Sequence, residues 1–177
     1  MDSTLRMQAA QPEELPRICD WYWRLADQMH KGEPGPAWTR GVYPSEDDLR
    51  KLVNAGDLYV TEDGGDYIAG VAITHDANEG YENVEWPSGL PQEDTVVIHL
   101  LCVAPELRGQ GIGRELVTFC VERAQELDAQ AVRLDVLAGN TPAERLYEAC
   151  GFEYAGEATV YYEDTGWADF SLYELEL

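Results

Sequence analysis

Positive charge is scarce in this sequence, which has 12 Lys and Arg residues against 34 Asp and Glu and a formal net charge of −22. Binding to nucleic acid or to an anionic membrane surface requires clustered cations. The composition therefore argues against both kinds of partner. It is compatible with a cationic or amine ligand, although an acidic surface also simply keeps a protein in solution.

Cysteines and long apolar runs are also few. The four cysteines, Cys19, Cys102, Cys120 and Cys150, lack the Cys-x-x-Cys spacing of a metal site, so we predict buried, reduced thiols and no bound metal. No run reaches the roughly 18 apolar residues of a membrane span, and no basic segment followed by an apolar run marks a signal peptide. We expect a soluble cytoplasmic protein, with residues 1–177 forming one domain.

Strand and helix patterns alternate along the chain, which is typical of an α/β protein. Strands are predicted at 5–10, 57–62, 67–74, 95–103, 132–137, 153–161 and 166–177, and helices at 12–31, after Ser45, at 111–127 and after 140. The last helix is expected to begin with a capping box, with Thr141 as N-cap, Pro142 at the first position and Glu144 at the third. The long connection 75–94 is either a functional loop or a surface insertion.

A glycine-rich turn, Arg108-Gly109-Gln110-Gly111-Ile112-Gly113, lies between the apolar strand 95–103 and a helix. Glycine lets the backbone turn so that successive N–H groups point into one concavity at the helix N-terminus, which suits a phosphate or pyrophosphate. A tight turn without a ligand is the alternative. The Gly-Lys-Ser/Thr of a Walker loop is missing, and the glycine spacing differs from that of a Rossmann turn.

This turn resembles the Gln/Arg-x-x-Gly-x-Gly/Ala motif of the GNAT superfamily of N-acetyltransferases, at Arg108, Gly111 and Gly113. A second GNAT signature is matched by Asn140 to Ala143 and by Leu146-Tyr147 followed by Gly151-Phe152. The resemblance implies a single-domain GNAT fold with a mixed sheet of about six to seven strands and about four helices. It also implies an enzyme that transfers an acetyl group from acetyl-CoA to an amine, and a possible homodimer.

The resemblance further implies roles for individual residues. The amides of residues 108–113 would hold the CoA pyrophosphate, and the strand at Leu101, Cys102 and Val103 would offer free backbone groups to the pantetheine arm. Asn140 would contact that arm or the final helix. Tyr147 would protonate the departing thiolate, since an ordinary tyrosine pKa of about 10 keeps the hydroxyl protonated at neutral pH.

An amine nucleophile must lose a proton, so the reaction needs a general base. His99 in the strand 95–103 is the candidate. Regular alternation along the strand would place its side chain on the face of Leu101 and Val103, with Cys102 pointing away as a core residue rather than a nucleophile. A buried histidine with satisfied hydrogen bonds is the alternative reading. Val97 stands where many GNAT enzymes have a glutamate, so Glu82 or Glu85 acting through water is also possible.

The acceptor pocket of this fold is usually shaped by the 32–44 loop, the loop before the central strand and the last hairpin. Aromatic and acidic residues in these segments predict a pocket for a cationic or aromatic amine of a small molecule or peptide: Trp38, Tyr43, Tyr81, Glu82, Trp86, Tyr161, Tyr162, Glu163 and Asp164. The acceptor and the length of the acyl group stay open. The competing hypothesis is a non-catalytic acyl-CoA sensor or protein-interaction module on the same fold.

Overall fold

The computed structural model describes residues 5–29 and 34–177. In those residues a seven-stranded mixed sheet has the order β1-β2-β3-β4-β5-β7-β6. Its strands are β1 (Gln8–Ala9), β2 (Leu58–Asp63), β3 (Asp66–Thr74), β4 (Thr95–Val103), β5 (Ala131–Leu137), β6 (Glu153–Tyr162) and β7 (Gly166–Glu176). The helices are α1 (Leu15–Gln28), α2 (Glu46–Ala55), α3 (Ile112–Glu126) and α4 (Thr141–Ala149). The predicted mixed sheet with four helices is confirmed.

Two apolar layers cover the two faces of the sheet. Ile18 and Tyr22 of α1 and Leu49 of α2 are fully buried with Val60 on one face. Leu116 and Cys120 of α3 are buried with Val96, Ile98 and Val132 on the other face. Because β4 is covered on both faces, its sequence is a nearly continuous apolar run rather than an alternating one.

The parallel pair β4 and β5 is joined over only part of its length. Its ladder consists of Thr95–Val97 opposite Ala131–Arg133, whereas β5 stays paired with β7 as far as Leu137. Beyond Val97 the two strands therefore separate. The gap between them contains the candidate site described below.

Several predicted boundaries need correction. Strand β1 is two residues long rather than six, because only Gln8 and Ala9 pair with β2. Residues Pro12–Glu14 form a 3-10 turn before α1, and the predicted helix end at residue 31 lies outside the described residues.

Of the two predicted helix caps, that of α2 is confirmed and that of α4 is wrong. Ser45 caps α2 as predicted, with its Oγ accepting from the Asp48 N–H at 3.1 Å. The predicted capping box of α4 is wrong, because Asn140 holds the N-cap position and Thr141 is already helical. The carboxylate of Glu144 instead accepts from Ser171 Oγ at 3.2 Å.

The 75–94 connection packs across the sheet. The indole of Trp86 stacks on the Arg133 guanidinium, 4.2 Å from ring centroid to Cζ, and the Ser88 N–H donates to Glu174 Oε1 at 2.7 Å. Nearer the gap, the Tyr81 hydroxyl donates to Asp135 Oδ2 at 3.1 Å. The loop is therefore a wall of the gap rather than a detached surface insertion.

The four cysteines are free thiols, as expected, and Cys150 is half-buried while the other three are buried. Across the described ranges, none of the helices has the length and apolar character needed to cross a bilayer. The same ranges contain no group of three or more His, Cys, Asp or Glu side chains that could hold a metal ion.

Candidate active site

The glycine-rich turn forms one wall of a surface cleft of about 680 Å³. Gly109 and Gly111 adopt left-handed conformations, with φ of 75° and 88°, that a side chain would strain. A Cβ added to Gly113 would lie 3.2 Å from Leu146 Cδ2, so this glycine permits the close approach of α3 and α4. Of the eleven predicted cofactor-binding residues, Gln110, Ile112 and Tyr147 do not line the cleft. The other eight do: Leu101, Cys102, Val103, Arg108, Gly109, Gly111, Gly113 and Asn140.

Two arginines give this cleft a local positive charge. Arg108 in the turn and Arg114 in the first turn of α3 both line it, and neither forms an ion pair with any acid among residues 5–29 and 34–177. Unpaired cations beside a helix N-terminus suit a phosphate group. Sequence analysis missed Arg114, although its position three residues after Gly111 places it in the first helical turn.

The edge of β4 offers free backbone groups to the gap. The Ala104 N–H donates to Ile68 O on β3 at 2.8 Å, and Cys102 pairs with Gly70, so these residues direct their polar groups toward β3. Alternation turns the N–H and C=O of Leu101 and Val103 the other way, toward the gap. Since β5 has left the ladder there, these groups have no strand partner in the described part of the chain.

A β-bulge corrects the predicted orientation of His99. The register with β3 shifts between Ala72↔His99 and Gly70↔Cys102, and Leu100 has a φ of +54°. One extra residue in the strand breaks the alternation of side chains. His99 therefore lies on the Ala72 face, opposite to Leu101 and Val103, and the prediction that they share a face is wrong. Cys102 points away from those two residues, as predicted.

A second cavity, of about 200 Å³, adjoins the cleft, and Leu101, Asn140 and Ala143 line both spaces. Tyr147 lines the cavity and is 6% exposed. Its hydroxyl makes no hydrogen bond within the described parts of the chain. Every fully buried side-chain oxygen in those parts does have a hydrogen-bond partner, so the Tyr147 hydroxyl is not fully buried. The hydroxyl must therefore be reached from the cavity. Burial raises the pKa of Tyr147 above its ordinary value, so the group stays protonated.

His99 is held in a hydrogen-bonded network at the cavity wall. Its Nε2 lies 2.9 Å from Thr74 Oγ1, and its Nδ1 lies 3.4 Å from Asn78 Nδ2. Asn78 Nδ2 also donates to Asp135 Oδ2 at 2.7 Å, which fixes the amide orientation and makes Nδ1 the acceptor. Burial lowers the pKa of His99, partly offset by the Asp135 charge. The arrangement therefore favours a neutral ring with the proton on Nε2.

The predicted acceptor residues are only partly brought together. Trp38, Tyr43, Tyr162 and Asp164 line the cavity, and Tyr81 lies behind it through its bond to Asp135. The other four do not line it: Glu82 and Glu163 are exposed, Trp86 packs on Arg133 and Tyr161 is turned outward against Trp167.

Asn78 and Asp135 also line the cavity and were missed by sequence analysis. Asp135 carried a readable signal, because it interrupts a buried strand just as His99 does. Tyr162 stacks on Tyr43 with ring centroids 6.4 Å apart, which forms an aromatic wall.

The thiols near the site are poor nucleophiles. Burial raises the pKa of the Cys102 thiol to about 12 and also raises that of Cys150. The thiolate is the reactive form of cysteine, so both groups are essentially unreactive at neutral pH.

Comparison with known proteins places this geometry in a family. The model of the acetyltransferase (GNAT) family matches residues 15–152. A mycothiol acetyltransferase of Corynebacterium aurimucosum is 34% identical over 85 residues, which cover 46% of this chain and 27% of that protein. A streptothricin acetyltransferase of Streptomyces lavendulae is 38% identical over 63 residues, covering 36% and 33%. The chain spans no more than about half the length of the curated relatives it matches.

Solved structures share the fold over nearly the whole chain. A ribosomal-protein-alanine N-acetyltransferase from Brucella melitensis superposes with a TM-score of 0.71 at 19% identity, covering 98% of this chain and 100% of the other. A phosphinothricin acetyltransferase from Sinorhizobium meliloti, solved with acetyl-CoA, gives a TM-score of 0.69 at 22% identity, covering 98% and 89%. With the family model matching well over half of its residues, the chain belongs to the GNAT acetyltransferase family.

Proposed function

We propose that this protein transfers the acetyl group of acetyl-CoA to a primary amine of a small molecule or peptide, by direct attack in a ternary complex. One observation carries the proposal. The cleft beside the glycine-rich turn and its two arginines joins, at the free edge of β4, the cavity that Tyr147 lines. The Tyr147 hydroxyl faces that cavity and has no hydrogen-bond partner within the described residues.

The residues of the cleft fit the parts of acetyl-CoA. The turn amides around Gly109 and Gly111, with the Arg108 and Arg114 guanidinium groups, would hold the phosphates. The Leu101 C=O and the backbone groups of Val103 would bind the amides of the pantetheine arm, because they face the gap without a strand partner among the described residues. Asn140 lines both spaces and makes no side-chain cap bond to α4, so its amide is free to bind the same arm.

Bound acetyl-CoA would supply a thioester, whose carbonyl carbon forms the new C–N bond while its C–S bond breaks. The Leu101 N–H, at the border of the cavity that Tyr147 lines, would donate to the carbonyl oxygen, where negative charge develops. Tyr147 would donate its hydroxyl proton to the departing sulfur.

The amine must lose one proton as it attacks, and His99 is the proposed acceptor of that proton. Its ring is neutral, as a base requires, and it lines the cavity. The accepting atom would be Nδ1, which the amine reaches once its proton displaces the long 3.4 Å contact from Asn78 Nδ2. Asp135 lies beyond the same amide and would stabilise the protonated ring.

Initial rates test the proposal directly. Release of free CoA thiol from acetyl-CoA should be measured over a panel of small amines, polyamines, amino acids, aminoglycosides and N-terminal peptides. Turnover with one class, and intersecting double-reciprocal lines, are expected for direct attack, whereas parallel lines would indicate an acyl-enzyme. Acetyl-CoA binding without turnover on any amine would instead favour a sensor.

Substitution Arg108→Gln should weaken acetyl-CoA more than it slows the chemistry. Loss of a charge-assisted bond to phosphate corresponds to a rise in KM for acetyl-CoA of about 10-fold, with kcat nearly unchanged. The matched control is Arg24→Gln, whose side chain pairs with Asp20 on the exposed surface of α1. An equal effect of both substitutions would show that only the overall charge matters.

The pH–rate profile tests His99. A base must be neutral, and burial lowers the pKa of His99 below its ordinary 6.5, so kcat should fall only as the pH drops below about 6.5. In His99→Gln this fall of kcat at low pH should disappear, and kcat at pH 8 should be about tenfold lower than in the wild type. The loss is smaller than general bases usually contribute, because water and Asp135 in the same cavity can take over part of the role. An unchanged acidic limb in the variant would assign the proton to another group.

A further inference from the structure

Two carboxylates stand out among the described residues that line the acceptor cavity. Asp135 of β5 and Asp164 of the β6–β7 turn both line it, and the described lining residues include no Arg or Lys. The nearest candidate on the strand, Arg133, is already bound to Glu174 and the 75–94 loop. Two acids in one cavity, with no counter-charge among its described lining residues, favour a cationic occupant.

Asp135 has one oxygen held and one oxygen free. Oδ2 accepts from Asn78 Nδ2 at 2.7 Å and from the Tyr81 hydroxyl at 3.1 Å. Oδ1 accepts from no group in the described parts of the chain. The carboxylate is therefore fixed in orientation with an acceptor left for a ligand, next to the His99 network.

The two carboxylates occupy separate places along the cavity. Asp135 lies opposite Leu172 in the sheet, six residues along β7 from Gly166 and the turn that carries Asp164. The two backbones are thus six strand residues apart, but both side chains line the same cavity of about 200 Å³, so one small ligand can reach both carboxylates. The stacked Tyr43 and Tyr162 lie close enough to both acids to feel their charge. Burial raises the pKa of both phenols most, and the charges of Asp135 and Asp164 raise it further. An apolar linker could thus lie on the tyrosine pair between two cationic ends.

An independent feature shows that the cavity is built for a ligand. The Tyr147 hydroxyl, on a side chain only 6% exposed, lacks a partner in the described residues and is reached from this same space. A reacting group placed near it lies beside Leu101 and Asn140, at the junction with the cleft.

We propose that the acceptor is a dication, in which Asp135 binds the ammonium group that becomes the nucleophile and Asp164 binds a second cationic group. This rests on the proposed acetyltransferase function and narrows its acceptor class. Straight-chain diamines, and larger amines with two separated positive groups, fit this description. Monoamines fill only one of the two places.

The experiment compares straight-chain diamines of three to eight carbons with monoamines of the same length. In the wild type, kcat/KM should be at least about tenfold higher for the best diamine than for its monoamine. Asp164→Asn should remove that preference by lowering kcat/KM for the diamine about 10- to 100-fold. Asp135→Asn should lower kcat/KM for both series, because both present the reacting amine to it.

Glu163→Gln is the matched control, since it removes the same charge from the neighbouring exposed residue, which does not line the cavity. Retention of the diamine preference in this variant supports the proposal. Equal preference for monoamines in the wild type, or equal losses in Glu163→Gln and Asp164→Asn, would overturn it while leaving the acetyltransferase function intact.

Calorimetry separates failure of the inference from failure of the function. The best-binding diamine is titrated into the wild type and Asp164→Asn in the presence of CoA, where no acetyl transfer occurs. Binding that weakens about 10-fold or more in the variant supports the dication site even if no amine is acetylated. Absence of diamine binding to the wild type overturns it.

Discussion

Tyr147→Phe should lower kcat by about 10²- to 10³-fold, within the range that a positioned general acid contributes. The substitution removes only a hydroxyl whose partner must come from the cavity. KM for acetyl-CoA should change little, because the phosphate and pantetheine contacts are made by other residues. Loss of thiol release at saturating substrates is the measurement.

Proton transfer from Tyr147 requires matched proton affinities. An ordinary thiol has a pKa of about 8.5, which would make donation from a tyrosine above 10 unfavourable. Burial raises the proton affinity of a thiolate as it does that of a phenolate, as the raised pKa of the buried Cys102 thiol shows. A thiolate leaving into the cavity beside Tyr147 would therefore be a stronger proton acceptor than a thiolate in water.

Tyr154→Phe is the control for this prediction, since Tyr154 is exposed on the edge strand β6. Both variants should keep the melting temperature of the wild type within a few degrees, because neither removes a hydrogen bond from the core. A Tyr147→Phe enzyme that retains its kcat would show that the thiolate leaves without this acid.

The fold could be predicted from sequence where local chemistry decides it. The glycine turn at Gly109 and Gly111 and the Ser45 cap depend on a few consecutive residues, and both were identified correctly. The cap of α4 was misplaced by one residue because Asn140 and Thr141 both favour the N-cap position. Only the surrounding packing chooses between them.

The site itself depends on contacts between distant segments. The bulge at Leu100 has no sequence marker, since a leucine with positive φ is held there by the surrounding fold; the Tyr22 hydroxyl, for example, bonds to its carbonyl at 3.0 Å. His99 and Asp135 become neighbours through Asn78 only because β4 and β5 separate after three residue pairs. A single sequence does not show where a parallel ladder stops.

Glu174→Gln should lower the free energy of unfolding by about 3–5 kcal/mol, the usual cost of removing one partner from a buried ion pair. Glu174 and Arg133 are about 2% exposed, and Glu174 Oε2 accepts from Arg133 Nε at 2.8 Å. The substitution leaves a buried guanidinium without its counter-charge. It also weakens the bond from the Ser88 N–H to Oε1, which ties the 75–94 loop to β7. Denaturant unfolding measures the loss. The control is Asp20→Asn in the exposed pair with Arg24, which should lower the free energy of unfolding by less than about 1 kcal/mol.

The double variant Arg133→Met with Glu174→Leu separates charge from packing in this pair. Replacing both charges with apolar groups of similar volume removes the desolvation cost together with the attraction, so the double variant should be more stable than Glu174→Gln alone. Full recovery is not expected, because the Ser88 N–H and the Leu90 carbonyl each lose a partner, at about 1–3 kcal/mol apiece when buried. A double variant no more stable than the single one would mean that anchoring the loop, rather than neutralising a buried charge, is the main contribution of this pair.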